Sequence, residues 1–235
     1  MDEIQFSTSY CLLGDHKFAV NPYKISVNAE SQSMADIMLD FLHRSTIQNI
    51  WEPETTKIIK DIVKEGMTVI DIGASMGYFT MIFSDLVGNE GKVFAFEPQY
   101  PHMKYLLMNL SINKCKSNVY LYKIAMWDKK EKINKVINQD VDADSLDNFL
   151  REQKIQKIDF IKVDVDGAEP WVLKGMIETI ENNPQLKMVI ECHKDSIDSV
   201  NGSWEDYNNI LNKYFNLKVI EKEYEGMWNY LCVRK

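Results

Sequence analysis

A chain of 235 residues, 45% of them hydrophobic, has the length for one α/β domain with a small extension and enough apolar material for a sizeable core. No apolar run approaches the roughly 18–20 residues that span a bilayer, and the opening MDEIQFSTSY lacks the basic start and apolar stretch of a secretory leader. A formal net charge of −8 argues against a nucleic-acid binder, and four scattered cysteines (Cys11, Cys115, Cys192 and Cys232) show neither zinc nor dithiol spacing, so free thiols in a reducing cytoplasm are expected.

In chain order, residues 17–27 hold one or two short strands around Asn21-Pro22. A helix follows near 33–43, where Met34, Ile37, Met38, Phe41 and Leu42 fall on one helical face. These first fifty residues read as an N-terminal cap. From Pro53, a good first helical residue, strands and helices alternate. A helix buries Ile58, Ile59, Ile62 and Val63, and then comes the continuous apolar strand MTVIDIG. Such a run marks a strand covered on both faces. The helix after it carries Phe79, Ile82, Phe83 and Leu86 and closes at Gly88. KVFAFE at 92–97, a helix from Pro101 and NVYLYK at 118–123 continue the pattern.

The rhythm breaks over 127–144, where a charged turn and an extra strand at Ile133–Ile137 are expected. A helix near 145–153, the strand IDFIKVD at 158–164, one helix through Leu173, Met176, Ile177 and Ile180, and the strand KMVIECH at 187–193 restore it. After a helix near 203–215, LKVIE and YLCVR read as a terminal antiparallel hairpin. The alternation predicts a doubly wound, mostly parallel sheet with right-handed crossovers.

Four motifs carry chemistry. Asp71-Ile72-Gly73-Ala74-Ser75-Met76-Gly77 places a Gly-rich turn between a buried strand and a helix. Ligands of open α/β sheets bind at the carboxyl ends of such strands, and a helix N-terminus offers free N–H groups to a carboxylate. Glu97 ends the next strand, roughly twenty residues on, where an acid can hold the hydroxyls of a ribose. Lys162 and Asp164 share one strand face, and a lysine in a buried run needs a partner. Asp166-Gly167 turns the chain into a helix opened by Glu169, whose plain alternative is a carboxylate on the helix dipole. Glu191-Cys192-His193 ends the fifth strand, beside the fourth. A histidine there could take a proton from a hydroxyl, although a lone histidine is more often structural.

Together these blocks resemble the FkbM family of SAM-dependent (class I) methyltransferases over roughly residues 51–195. The resemblance rests on WEPETTKII with GMTVIDIGASMGYFT, on FAFEP, on SLDNFL with IDFIKVDVDGAEPWVLKG, and on VIECH. Ser75 replaces the middle glycine of the class-level turn, and Asp166 stands where the family usually has Glu. The resemblance implies a Rossmann-like methyltransferase domain over 51–235 behind a cap at 1–50, with S-adenosyl-L-methionine (SAM) as cofactor. The segment Gly73, Ala74, Ser75 to Gly77, running into Tyr78 and Phe79, would hold the methionine part. Asp71 and Glu54 would face its amino group, and Glu97, followed by Pro98, the ribose. Ala125 and Met126 would lie near adenine and Asp164 near the sulfonium.

Methyl transfer to a hydroxyl also needs a base. The candidates are Asp164 and His193, with Glu169 and Glu191 behind them. The expected reaction is O-methylation of a small molecule or glycan. A metal site is not expected, since no ligand spacing is diagnostic, and the acids from Asp142 to Asp147 read as a solvated loop and helix cap. Rival readings are a nucleotide-binding oxidoreductase, which predicts a G-x-G-x-x-G turn missing here, a non-catalytic SAM-binding protein, and an RNA methyltransferase, against which the acidic balance argues.

Overall fold

The computed structural model describes residues 9–13, 16–20, 50–115, 118–134, 140–224 and 227–235. A seven-stranded sheet organises the chain. Its parallel part comprises β3 (Thr68–Ile72), β4 (Lys92–Phe96), β5 (Val119–Tyr122), β9 (Phe160–Val163) and β10 (Lys187–His193). The strand β12 (Met227–Arg234) pairs antiparallel with both β10 and β11 (Phe215–Tyr224), giving the order β11-β12-β10-β9-β3-β4-β5. The expected parallel sheet with a terminal hairpin is therefore present. Near the N-terminus, β1 (Ser9–Leu13) and β2 (His16–Val20) form an antiparallel hairpin. The helix expected near 33–43 lies outside the described residues, as does most of the expected cap.

Side chains alternate across the sheet and build two cores. Ile70 and Ile72 of β3, Phe94 and Phe96 of β4, and Ile161 and Val163 of β9 share one cluster. There they meet α4 (Leu146–Glu152), α5 (Glu169–Lys174), α6 (Ile177–Asn182) and α8 (Trp204–Tyr214). Val69, Val93, Phe160 and Val189 point the other way, against α1 (Pro53–Ile62) and α2 (Tyr78–Val87). Phe83 of α2 and Phe160 are both fully buried, with ring centroids 5.7 Å apart. Each such side chain contributes about 1.5–3 kcal/mol by leaving water. The remaining helices are α3 (Tyr100–Ile112) and α7 (Lys194–Ser199).

Two segments differ from the sequence reading. The expected charged turn is present at 128–130, but it joins two strands of a three-stranded sheet that was not expected, β6 (Ala125–Trp127), β8 (Val141–Ser145) and β7 (Glu131–Ile133), in the order β6-β8-β7, while most of the strand expected at 133–137 lies outside the described residues. Within this sheet Asp144 is buried, not solvated, accepting from Ser145 N (2.8 Å) and from Asn148 Nδ2, while exposed Asp142 pairs with Lys132. The helix expected through Leu173 and Ile180 is two helices, α5 and α6, broken at Gly175. A Cβ there would stand 1.8 Å from the carbonyl oxygen of Trp127.

Candidate functional site

The chain runs from β3 outward through β4 to β5, then returns to place β9 and β10 on the other side of β3. A crevice opens at the carboxyl ends of β3 and β9, where strand order reverses. It is a cavity of about 490 Å³. Backbone geometry fixes its floor. Gly73 (φ +83°) lies so close to the chain leaving β9 that a Cβ would stand 1.7 Å from Asp164 O. Gly73 N and Ala74 N both donate to Phe96 O (3.0 Å each), fastening the turn to β4. Gly77 (φ +91°) precedes α2, and its missing Cβ leaves room for Leu106 of α3.

Glu97, 4% exposed, is held at the end of β4. Its Oε2 accepts from Ser75 N (2.9 Å) and its Oε1 from Gln99 N (2.7 Å). Burial pushes its carboxyl up to about 7, against the opposing pull of those two backbone bonds. His102 stands beside it, with Nδ1 3.3 Å from Ser75 Oγ, and burial lowers its pKa, favouring the neutral ring.

A polar row continues the α1- and α2-facing side of the sheet beyond the apolar layer of Val69, Phe160 and Val189. Asp71 and Lys162 are register partners on β3 and β9. Asp71 accepts from Thr80 Oγ1 (2.6 Å), and burial raises its carboxyl to about 6. Lys162, 2% exposed, reaches Asp164 Oδ2 at 2.6 Å and lies over the Phe79 ring at 4.4 Å. Burial alone would lower its pKa, but Asp164, Glu52 and Asp71 outweigh it, so the ammonium persists. Next along the row come Glu191 of β10 and its register partner Asn229 of β12.

Asn229 Nδ2 donates to Glu52 Oε2 (3.0 Å), and Trp51 Nε1 donates to Glu52 Oε1 (2.8 Å). Thr56 Oγ1 donates to Trp51 O (2.7 Å) and lies 3.2 Å from Tyr78 OH, tying the start of α1 to that of α2. Three lining residues that are not glycine, Glu52 (φ 41°), Ser75 (φ 47°) and Asp166 (φ 51°), adopt the left-handed conformation. Such geometry costs on the order of 1–3 kcal/mol and concentrates at functional sites. The opposite wall is apolar: Ala125, Met126 and Trp127 of β6, with Ile133 and Val141. Trp127 stacks on Trp171 at 5.0 Å.

The structure gathers Asp71, Gly73, Ala74, Ser75, Tyr78, Phe79, Glu97, Pro98, Ala125, Met126 and Asp164 around this cavity. Four other residues expected at the site stand off its lining. Glu54 is exposed on the first turn of α1; Glu52, two residues earlier and left-handed at the helix entry, lines the cavity instead. Gly77 shapes the turn from beneath. Glu169 is buried, and its Oε1 accepts from Val165 N (3.1 Å) and Gly167 N (3.3 Å), so it braces the turn after β9. Burial raises its carboxyl to about 7. His193 bonds Ser196 Oγ through Nδ1 (2.6 Å) near exposed Asp166.

Trp51, Glu52 and His102 were not singled out in the sequence. The one local signal was the Trp-Glu-Pro entry to α1, where the residue before proline is kept out of the helical region. Among the described residues, no group of three His, Cys, Asp or Glu side chains is placed to hold a metal ion, and no helix is long and apolar enough to cross a membrane.

Comparison with known proteins adds the family. The model of the methyltransferase FkbM domain matches residues 71–219. That of protein-L-isoaspartate(D-aspartate) O-methyltransferase matches residues 18–120. No curated protein matches the chain. Among solved structures, methyltransferase FkbM from Methylobacillus flagellatus KT is similar at a TM-score of 0.57 and 14% identity, over 75% of this chain and 50% of that one. A SAM-dependent methyltransferase from Aquifex aeolicus gives 0.51 and 21%, over 79% and 90%. An rRNA methylase from Streptococcus thermophilus gives 0.52 and 14%, over 77% and 93%. At these identities the structures establish the class I methyltransferase fold, and the family model, which covers more than half the chain, establishes kinship. The chain belongs to the FkbM family of SAM-dependent methyltransferases.

Proposed function

We propose that this methyltransferase O-methylates a hydroxyl of a small-molecule or glycan acceptor, with Asp164 as the base. The observation that carries the reading is the placement of Asp164 at the switch point, clamped by Lys162 at 2.6 Å, with Glu97 at the end of β4 on one side and Glu191 of β10 on the other. The cavity suits a cationic adenosyl ligand. Its acids outnumber its one lining lysine, Lys162, and Glu97 keeps lone pairs for two hydroxyls after taking its backbone bonds. The apolar β6 wall suits a flat base.

When bound, SAM supplies a methyl group on a sulfonium, which leaves with its bonding pair kept by sulfur. The residues do the rest. Glu97 holds the ribose, the Gly73–Ser75 backbone positions the amino-acid end, and Asp71 and Asp164 face positive charge. Asp164 takes the hydroxyl proton as the acceptor oxygen bonds to the methyl carbon. Lys162 fixes the orientation of Asp164, and Glu169 is a positioning residue that braces the turn carrying it. Residues 51–235 form the catalytic domain in this reading, and 1–50 form a cap that helps choose the acceptor. The net charge of −8 favours a small acceptor over nucleic acid. The free cysteines Cys115, Cys192 and Cys232 fit work in the cytoplasm.

Two variants test this. Asp164→Asn is expected to keep S-adenosylhomocysteine binding in calorimetry and to lose about 10²-fold or more in turnover with a hydroxyl acceptor. Glu97→Ala is expected to weaken cofactor binding by about tenfold or more. Undiminished turnover in the first, or undiminished binding in the second, would overturn the assignment.

A further inference from the structure

Glu191 has no place in the mechanism above, yet it is the lining carboxylate least provided for. It is 6% exposed and faces the cavity from β10. Among the described residues no hydrogen bond or ion pair reaches its carboxylate; its backbone oxygen accepts from Tyr207 OH (3.0 Å). The groups around it carry its own sign: Asp164 and Asp166 from the segment after β9, Glu169 from α5, and Glu52 from the entry to α1. Lys162 is the one lysine or arginine on the described lining, and its ammonium is already shared among Asp164, Glu52 and Asp71.

The sheet order separates two ends of the cavity. Glu97 on β4 and Asp71 on β3 mark the cofactor end. Glu191 on β10, Met227 at the start of β12, Trp51 and Glu52 mark the far end. A largely buried carboxylate that opens only onto the cavity, with acids around it and no donor from the protein, is costly as an ion until a counter-charge arrives. A protein keeps such a group where a ligand completes it. In the placement proposed above the cofactor's two positive centres, the sulfonium and the α-ammonium, face Asp164 and Asp71, so the completing cation at the far end has to come with the acceptor. The indole of Trp51, beside Glu52, gives that end an aromatic surface suited to an ammonium.

We infer that the methyl acceptor carries a protonated amine, as an amino sugar or amino alcohol does, and that Glu191 seats this ammonium at the β10–β12 end of the cavity. The inference rests on the cofactor placement proposed above. It makes Glu191 a specificity determinant, which selects the acceptor by charge and leaves the base role to Asp164.

The test uses the full chain saturated with S-adenosylhomocysteine and two probes of one ring, glucosamine and glucose, which differ by an ammonium in place of a hydroxyl. Calorimetry is expected to show glucosamine bound at least about tenfold more tightly than glucose. In Glu191→Gln the preference is expected to shrink to about twofold or less, with S-adenosylhomocysteine affinity unchanged as evidence of an intact fold. Equal binding of the two sugars, binding of neither, or a preference that survives Glu191→Gln would each overturn the inference while leaving the cofactor reading in place. Failure of S-adenosylhomocysteine itself to bind would strike the cofactor reading first, and the acceptor inference with it.

Discussion

Single residues at the two ends of β3 separate two kinds of constraint. Gly73 and Gly66 both have positive φ, +83° and +81°, but only Gly73 has a neighbour in the way. Gly66→Ala therefore carries only the cost of a left-handed alanine, about 1–2 kcal/mol. Gly73→Ala adds an overlap with Asp164 O that no rotamer relieves, so a loss above about 4 kcal/mol is expected. Denaturant melts of the two variants measure the difference directly, and equal losses would show that the strands part easily there. Lys162 is the second test at this scale. Removing one partner of a buried pair leaves the other charge stranded, so Lys162→Met is expected to cost about 3–5 kcal/mol. A near-neutral result would mean that the raised carboxyl of Asp71 simply takes up a proton.

Elements differ in how plainly the sequence shows them. The runs Val69–Ile72, Val93–Phe96 and Phe160–Val163 are apolar on both faces apart from Asp71 and Lys162 near the carboxyl ends, because helices cover both faces, so strand and environment are written together. The β6-β8-β7 sheet is hidden for the opposite reason. Its strands are short, Asp142 and Lys132 point to water, and the buried Asp144 is satisfied by Ser145 N and by Asn148 four residues on. The break between α5 and α6 is also illegible locally. Gly175 is required by Trp127, which a strand 48 residues earlier presses against it. The site follows the same rule: Asp71, Glu97 and Asp164 end recognisable strands, whereas Glu52 depends on a strained turn and on Asn229 far along the chain. Gly175→Ala is accordingly expected to push β6 outward and move the cavity wall at Ala125 to Trp127. It should weaken S-adenosylhomocysteine binding about tenfold in calorimetry, with a smaller loss in a melt than Gly73→Ala gives. Unchanged binding would show that this wall is not part of the cofactor pocket.

For the whole molecule, burial of acids at one sheet edge sets the response to pH. Asp71, Glu97 and Glu169 have carboxyls raised from 3.8 and 4.5 to about 6, about 7 and about 7, with burial as the largest cause of each. In the unfolded chain they ionise near their ordinary values, so between about pH 4 and pH 7 the folded state binds more protons than the unfolded one. The sign follows. Stability from these groups is full below about pH 4 and is lost as pH rises through about 6 to 7, with up to about 3 kcal/mol at stake per group. The ligand-free protein should therefore melt at a higher temperature near pH 5.5 than near pH 8. Exposed pairs such as Arg151–Glu178 and Lys194–Asp198 contribute little to this balance. A cationic ligand reverses the preference locally, because positive charge beside the raised carboxyl of Asp71 favours its ionised form. The stabilisation by SAM should then grow from pH 5.5 to pH 8, and that by S-adenosylhomocysteine, whose sulfur is neutral, should grow less. Thermal melts with each ligand across this range measure both trends. Parallel curves for the two ligands would mean that the sulfonium does not lie against these acids.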